Sequence, residues 1–329
     1  MSNKDKEVNQ ELEEVLNSLR AQSWDEFIGQ TRVKESLSIA IKAAQERDEA
    51  MEHSLFYRPP GLGKTTLAHL VAQSMGVNIK VTSGPAIERS GDLAAILSSL
   101  ETGDVLFIDE IHRLNKTVEE TLYPAMEDYA LDVVLGKGPS ARTVRLNLDK
   151  FSLIGATTRI GLIAAPLRDR FGMTHRLDFY SDKELVKILL NAAEKLDMSL
   201  DKKSAMVISK RSRKTARIAL KLLRRVRDFA QVRFDDEINP DIARQALSML
   251  GIDEEGLMDA DRMLIKSIIQ KHKGGPVGVE TLSALIHEEV DTIRDVYEPF
   301  LMQIGMLKRT SRGRVATRKA YDHLDLKKK

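Results

Sequence analysis

The sequence predicts an α/β protein whose parallel-sheet core is followed by a helical unit and then by a helix-turn-helix with a β-wing. Three observations predict it. Short apolar runs alternate with helical stretches as far as Tyr180, the pattern of a parallel sheet with helices packed on it. Residues 181 to 251 then read as helices alone. From Leu257 onward, helical segments broken by Gly274-Gly275-Pro276 lead into two short strands joined by Ser311-Arg312-Gly313. A chain of 329 residues, at ~150 residues per domain, has room for two or three such units.

Taken in order, Ser54-Leu55-Phe56-Tyr57 reads as the first strand and Leu67 to Ala72 as the first helix after it. Asn78 to Thr82 forms the next strand. Asp104 to Asp109 and Phe151 to Thr158 are near-continuous apolar runs, as expected of central strands buried on both faces. Between them, Leu131 to Leu135 and Thr143 to Leu148 flank Gly136-Lys137-Gly138-Pro139-Ser140, which reads as a β-hairpin. That hairpin is either a plain surface excursion or, if it projects apolar residues, a docking site. In the helical unit, Ile218, Leu222, Val226 and Phe229 fall at helical spacing. Gly251 to Gly256 reads as a turn-prone acidic seam. Helices follow over Asp261 to Gln270, Glu280 to Ile286 and Thr292 to Ile304, with strands over Met306 to Thr310 and Arg314 to Thr317.

Composition narrows the function classes. Apolar residues make up 42%, enough to build cores. The 51 Lys and Arg nearly cancel 49 Asp and Glu, for a net charge of +2, which excludes a uniformly basic coat but not a local basic patch. With no cysteine, disulfides, thiolate metal sites and cysteine nucleophiles are excluded, which fits a reducing compartment. No run of ~18 apolar residues predicts a membrane span. Met1 to Leu19 carries acids throughout, unlike a secretory or transit peptide. A cytoplasmic protein is expected.

Chemistry concentrates at the ends of the apparent strands. Gly61-Leu62-Gly63-Lys64-Thr65 carries the Gly-Lys-Thr of a phosphate-binding loop. In such a loop backbone N–H groups wrap phosphate, the lysine reaches its outer oxygens and the hydroxyl holds Mg²⁺. The strand–loop–helix context argues against a chance helix cap, although Arg58 stands where the pattern has its first glycine. Asp109-Glu110 end an apolar strand, where an Asp can hold Mg²⁺ through water and a Glu can activate water; the same pair in isolation is as readily a helix N-cap. Thr157 and Thr158 end another strand and either reach a γ-phosphate or merely cap it. Arg168 and Arg170 offer guanidinium groups for transition-state charge or for surface ion pairs. Basic residues from Lys210 to Arg233 read mostly as a solvated helix face, with Arg217 placed to point back at a nucleotide. Lys308, Arg309, Arg312, Arg314 and Arg318 cluster on the wing, the natural place for phosphate contact along a duplex. The seven histidines show no metal-ligand spacing, and the single Trp24 reads as packing.

Several longer strings resemble the RuvB family of Holliday-junction branch-migration motors. They are Thr82 to Glu88, Gly91 to Leu97, Asp104 to Leu114, Tyr123 to Asp128, Gly155 to Arg159, Leu223 to Gln231 and Val296 to Pro299. The resemblance covers about Leu19 to Leu324. It implies a large AAA+ P-loop ATPase domain (1–180), a small helical lid (181–251) and a winged-helix head (252–329). It further implies ATP and Mg²⁺ as cofactors, a homo-hexameric ring on the duplex arms of a Holliday junction, docking on RuvA through the hairpin 131–148, and RuvC as an indirect partner. By matching position, Leu19 and Arg20 lie near the adenine, and Gly61, Gly63, Lys64, Thr65 and Thr66 bind phosphates, with Thr65 on the metal. Asp109 and Glu110 are the metal-side acid and the water-activating base. Thr158, or its neighbour Thr157, is the sensor. Arg170 is the finger offered to the adjacent subunit, and Arg217 is the second sensor. Tyr180 and Glu127-Asp128-Tyr129 line the nucleotide or the subunit seam, and Arg309, Arg314 and Arg312 face DNA.

The chain departs from the family's pattern at Arg58, at Ala21 where proline is usual, and at Lys214 and Ala216, which replace a glycine and a proline. Two other readings follow. One is an assembly module that binds nucleotide and DNA but turns ATP over weakly because of Arg58. The other is a winged-helix regulator controlled by an ATPase domain.

Overall fold

The computed structural model describes residues 18–135 and 142–326. The hairpin tip at residues 136–141, the first 17 residues and the Lys327-Lys328-Lys329 tail lie outside the described residues. The chain divides into two compact units, with the boundary along the sequence between Phe179 and Tyr180.

The first unit is built on five parallel strands: β1 (Ser54–Tyr57), β2 (Ile79–Ser83), β3 (Val105–Asp109), β6 (Ser152–Thr157) and β7 (Met173–Arg176). Their order is β2-β3-β6-β1-β7. Helices α1 (Thr31–Arg47), α2 (Lys64–Met75), α3 (Ser90–Leu97), α4 (Lys116–Glu127) and α5 (Ala165–Arg168) are interspersed along the chain. β6 is buried at all six positions and β3 at all but Asp109, which is why these two read so clearly as apolar runs. β7 escaped the sequence reading. Met173-Thr174-His175-Arg176 alternates between half-buried and exposed at the sheet edge, so no apolar run marks it. The antiparallel hairpin β4 (Ala130–Leu135) and β5 (Arg142–Asn147) forms as expected, with Ala130 opposite Asn147 and Val133 opposite Val144.

His53, just before β1, ties three elements together. Its Nδ1 accepts the Leu153 N–H at 2.9 Å and its Nε2 lies 3.1 Å from the Met126 carbonyl. The Leu153 bond requires an unprotonated Nδ1, so the ring is neutral with its proton on Nε2. Burial lowers its pKa, partly opposed by the Met126 carbonyl.

The second unit begins with helices α6 (Asp182–Lys195), α7 (Lys202–Lys210), α8 (Ala216–Arg233) and α9 (Pro240–Met249). Ser181 and Glu184 form a capping box on α6, while Asp201 and Asn239 cap α7 and α9 through their side-chain oxygens. Leu222, Leu223, Val226 and Phe229 form the buried face of α8, and most of its arginines stay at least half-exposed. Arg211 and Arg213, which the basic run placed with that solvated face, are instead 9% and 5% exposed.

The rest of this unit has the helical segments Asp259–Lys266 and Val279–Ile286, and a continuous run from Val290 to Gln303 that passes through a π segment at Ile293–Tyr297. Strands β8 (Leu307–Thr310) and β9 (Gly313–Ala316) form the wing, with Arg309 opposite Arg314. Val277 bridges to Arg314 across from β8, so the wing carries a third backbone partner. Gly275 is required there: at φ 100° an added Cβ would sit 2.4 Å from the Arg314 carbonyl oxygen.

The neutral His53 ring makes core stability pH-dependent. Its folded pKa lies below the ordinary value, so its stabilisation is present above about pH 6.5 and is lost as pH falls through the folded value. His53→Ala is expected to cost about 1–3 kcal/mol near neutrality and clearly less at about pH 5, read by urea unfolding. An equal loss at both pH values would contradict the assigned tautomer.

Candidate functional site

The strand order sets the geometry. β6 lies between β1 and β3, with Tyr57 level with Thr157 and Ile108 level with Gly155. The loop after β1, the acids after β3 and the threonines of β6 therefore emerge side by side at the C-terminal edge, where parallel sheets bind ligands.

Gly61 and Gly63 take φ 81° and 95°, and the loop delivers the chain into α2. Lys64 opens that helix only 7% exposed, with Thr65 and Thr66 half-buried behind it. Its ammonium donates to the carbonyls of Arg58 at 2.7 Å and Pro59 at 3.1 Å. Burial pulls its pKa down to about 8, against the opposing pull of Asp109. A buried ammonium held by carbonyl dipoles near a carboxylate is a receptor for an incoming anion.

Arg58 takes φ 150°, a region where a side chain is strained and glycine is not. Its N–H still donates to the Thr157 carbonyl at 3.1 Å, which keeps the loop stitched to β6. The guanidinium lies 5.3 Å from the Phe179 ring centroid, with Arg176 and Asp178 as its charged neighbours. These neighbours lie on and just beyond β7, on the opposite side of β1 from β6 and Asp109. The side chain is anchored there, away from the β3 acids.

Asp109 accepts the Glu110 N–H on Oδ1 at 2.9 Å; its Oδ2 makes no hydrogen bond to a described residue. Glu110 is left-handed, with φ 49° and ψ 39°, a costly state for a non-glycine residue outside a site that requires it. The bend presses its backbone against Gly84, where a Cβ would lie 2.5 Å from the Glu110 carbonyl oxygen. The Glu110 carboxylate pairs with Arg113 at 2.9 Å. An aspartate and a hydroxyl are hard oxygen donors of the kind Mg²⁺ takes when phosphates complete its shell. Among the described residues no group of three or more His, Asp or Glu forms a protein-only metal cage. The two threonines separate in role: Thr157 is fully buried and bonded to His112 Nδ1 and the Arg159 N–H, both at 2.9 Å. Thr158, half-buried, is the one that continues beyond the strand end.

Leu19 is buried and Arg20 half-buried at the start of the described chain, with Arg20 close enough to influence His69 on α2. The segment after them is pinned by Trp24 Nε1 donating to Ser74 Oγ at 2.7 Å and by Lys34 Nζ donating to the Trp24 and Phe27 carbonyls.

A separate group forms around Arg170. It pairs with Glu127 at 3.0 Å, donates to the Pro166 carbonyl at 2.6 Å and lies 4.4 Å over the Tyr123 ring. Asp128 pairs with Arg145 of the hairpin, while Tyr129 packs edge-on to Phe151. Tyr123, His112 and Arg113 were missed as site residues. All three sat unremarked inside the diagnostic strings, Arg113 three residues after Glu110.

In the second unit Tyr180 is buried and donates its N–H to the Lys214 carbonyl at 3.0 Å. Lys214, at φ 58° where the family carries glycine, pairs with Asp182. Arg217 is exposed in the first turn of α8. On the wing, Arg309 and Arg312 are exposed, as expected of phosphate contacts. Arg314 corrects that expectation. It is 7% exposed and paired with Glu298, itself 3% exposed, so its charge is spent inside the fold.

Comparisons with known proteins agree with this geometry. Three family models match in succession: the Holliday junction DNA helicase RuvB P-loop domain over residues 19–177, the RuvB AAA lid domain over 180–253 and the RuvB C-terminal winged helix domain over 254–325. The chain belongs to the RuvB family. The Holliday junction branch migration complex subunit RuvB of Chloroflexus aggregans is 59% identical over 314 residues, covering 95% of this chain and 90% of that one. Its counterpart from Fusobacterium nucleatum is 56% identical over 310 residues, covering 94% and 93%. A solved structure of the Thermotoga maritima RuvB Holliday junction branch migration motor superposes with a TM-score of 0.86 at 51% identity, covering 94% of this chain and 99% of that one. An AAA+ P-loop core, a helical lid and a winged helix are therefore the fold class.

Two outcomes test the loop. A triphosphate beside Lys64 raises the pKa of that lysine again, so binding takes up protons above about pH 8 and weakens as pH rises further. Calorimetry in buffers of different ionisation enthalpy reads this as uptake near pH 8.5 that vanishes near pH 7; equal uptake at both would place the titration elsewhere. Arg58→Gly relieves the strained φ and leaves turnover within about tenfold, a barrier change of about 1.4 kcal/mol. A larger gain in ATPase assays would support the weak-turnover reading.

Proposed function

We propose that this chain is the ATP-hydrolysing motor that drives branch migration of Holliday junctions. The observation that carries this is the convergence of Lys64, Asp109-Glu110 and Thr158 at adjacent strand ends, in a chain whose core, lid and winged helix all match one family. The three matched segments also support a division of labour in which 1–180 hydrolyses nucleotide, 181–251 covers it and 252–329 meets DNA.

In this reading Lys64 leaves the Arg58 and Pro59 carbonyls for the outer phosphate oxygens, and the N–H groups of the loop and of the α2 N-terminus hold the rest. Thr65 and Asp109 hold Mg²⁺, which supplies charge neutralisation on the phosphates when bound. Glu110 orients the attacking water and takes its proton, with Arg113 holding the carboxylate in place until the water arrives. Thr158 reads the γ-phosphate, since Thr157 is occupied inside the sheet. Leu19 and Arg20 flank the base, and Tyr180 and Arg217 report the bound nucleotide to the lid.

Arg170, resting on Tyr123 and Glu127, is the group offered to a neighbouring subunit in a homo-hexameric ring, where it meets the developing charge of that subunit's phosphate. The hairpin supplies the RuvA-docking surface: Val144 and Leu146 of β5 are both exposed on one face. RuvC joins only through the assembled complex. Arg309 and Arg312 track duplex phosphates without reading sequence.

Branch migration of a synthetic four-way junction with purified RuvA tests the assignment. Lys64→Ala is expected to abolish both turnover and migration; migration unchanged by it would refute an ATP-driven motor. Arg170→Ala is expected to keep nucleotide binding and lose turnover by about 10³-fold. Mixing it with Lys64→Ala subunits is expected to restore part of the activity, and no recovery would argue against a finger acting between subunits.

A further inference from the structure

The stretch Gly251 to Gly256 reads in sequence as a turn-prone acidic seam between lid and head. The structure makes it a clamp. At Gly256 an added Cβ would lie 2.9 Å from the Arg211 carbonyl oxygen, so the seam is laid directly on the turn before α8. Arg262 donates to the Leu257 carbonyl at 2.8 Å and to the Gly251 carbonyl at 2.7 Å, gripping the seam from the head side. Asp253 meets His323 at 2.9 Å and Glu255 meets Lys319 at 2.8 Å, so the terminal helix closes over it as well.

At the centre is Arg213. It is 5% exposed, pairs with the fully buried Asp261 of the head and lies 4.9 Å over the ring of Phe300. Asp261 also accepts the Met258 N–H at 2.8 Å, which fixes the carboxylate against the start of its own helix. Arg213 and Lys214 are both left-handed, at φ 52° and 58°. A strained turn of this kind persists only where its surroundings over-determine it. Two buried atoms of the pair, Arg213 Nε and Asp261 Oδ1, have no hydrogen-bond partner among the described residues. A pair left partly unsatisfied is a poor source of stability compared with apolar packing, but it admits one arrangement of the two parts.

We infer that Arg213 is a positioning residue that locks lid and head into a single lever, carrying movement of the α8 N-terminus to the DNA-contacting wing. The path is short. Arg217, in the first turn of α8, lies four residues after Arg213; Phe300 lies two residues from Glu298; Glu298 holds Arg314 of β9; and Arg314 faces Arg309 across the wing. The central links, Arg213 to Asp261 and Phe300 and Glu298 to Arg314, are buried contacts; the outer ones run through a few residues of chain to Arg217 and a strand pairing to Arg309. In this lever a rotation that enters at α8 is carried to Arg309 through those contacts. The buried Arg314 finds its role here, holding the wing on the lever. The input end rests on the reading of Arg217 as a nucleotide sensor; the rigidity of the lever does not.

The absence of cysteine from the chain allows a clean distance measurement. Spin labels at Lys203→Cys in the lid and Met302→Cys in the head, both exposed positions, are introduced in the full chain and read by pulsed dipolar spectroscopy. The lever predicts one narrow distance, identical without nucleotide, with ADP and with a slowly hydrolysed ATP analogue. Arg213→Met is expected to broaden that distribution and to lower base pairs migrated per ATP at least about fivefold, with DNA-free ATPase within about twofold of wild type. A lid–head distance that shifts with nucleotide in the unsubstituted protein overturns the proposal, whether or not Arg213→Met folds. So does wild-type coupling in a folded Arg213→Met protein. Loss of ATPase on Lys64→Ala with an unchanged lid–head distance separates failure of the motor reading from failure of the lever.

Discussion

The position of β6 between β1 and β3 is the constraint on which the nucleotide site depends. In a parallel sheet every strand ends on the same edge, and there the chain turns from extended to helical structure with backbone groups unspent. Inserting β6 between two strands that precede it in sequence brings together three ends that are far apart along the chain: Arg58, Asp109 and Thr157. The arrangement tolerates little freedom. Glu110 is forced into a left-handed bend, and the carbonyl displaced by that bend fits only because Gly84 has no side chain. The His112–Thr157 bond then fixes the β6 end to the turn that follows the acids.

The same logic of enforced geometry recurs in the second unit with charge in place of backbone. Arg213, Asp261, Glu298 and Arg314 are all buried, and each has its counter-charge beside it. Burying an ion pair gains little stability over apolar packing, yet breaking one by displacement leaves two uncompensated charges out of water. Such pairs resist sliding and rotation more strongly than a smooth hydrophobic contact does. They hold the parts they join in one arrangement. Arg170 obeys a different rule. It is held on the Tyr123 face by a cation–π contact and by a half-exposed Glu127, contacts that are individually weak.

The departures at Arg58 and Lys214 are reconciled with the fold in a shared way. Both residues adopt backbone angles that favour glycine, and both send their side chains to a partner: Phe179 for Arg58, Asp182 for Lys214. The backbone path is kept and the strain is offset by a new contact.

The sequence by itself determined the sheet core, the phosphate-binding loop, the acids after β3, the helical unit and the wing. Each of these rests on a local signal: a run of apolar residues, a glycine spacing or a helical period, all of which report burial and backbone conformation within a few residues. Only the tertiary structure decided the partners of charged and edge residues. β7 is too polar to announce itself, Thr157 and Thr158 are equivalent in sequence but not in burial, and Arg314 looks like its exposed neighbours until Glu298 is seen beside it. Arg211 and Arg213 belong to a basic run and end up inside, and the acidic seam at 251–256 becomes a clamp. The physical reason is common to all of them. Whether a polar side chain is solvated or buried depends on what a distant part of the chain brings beside it, and that encounter has no local signature.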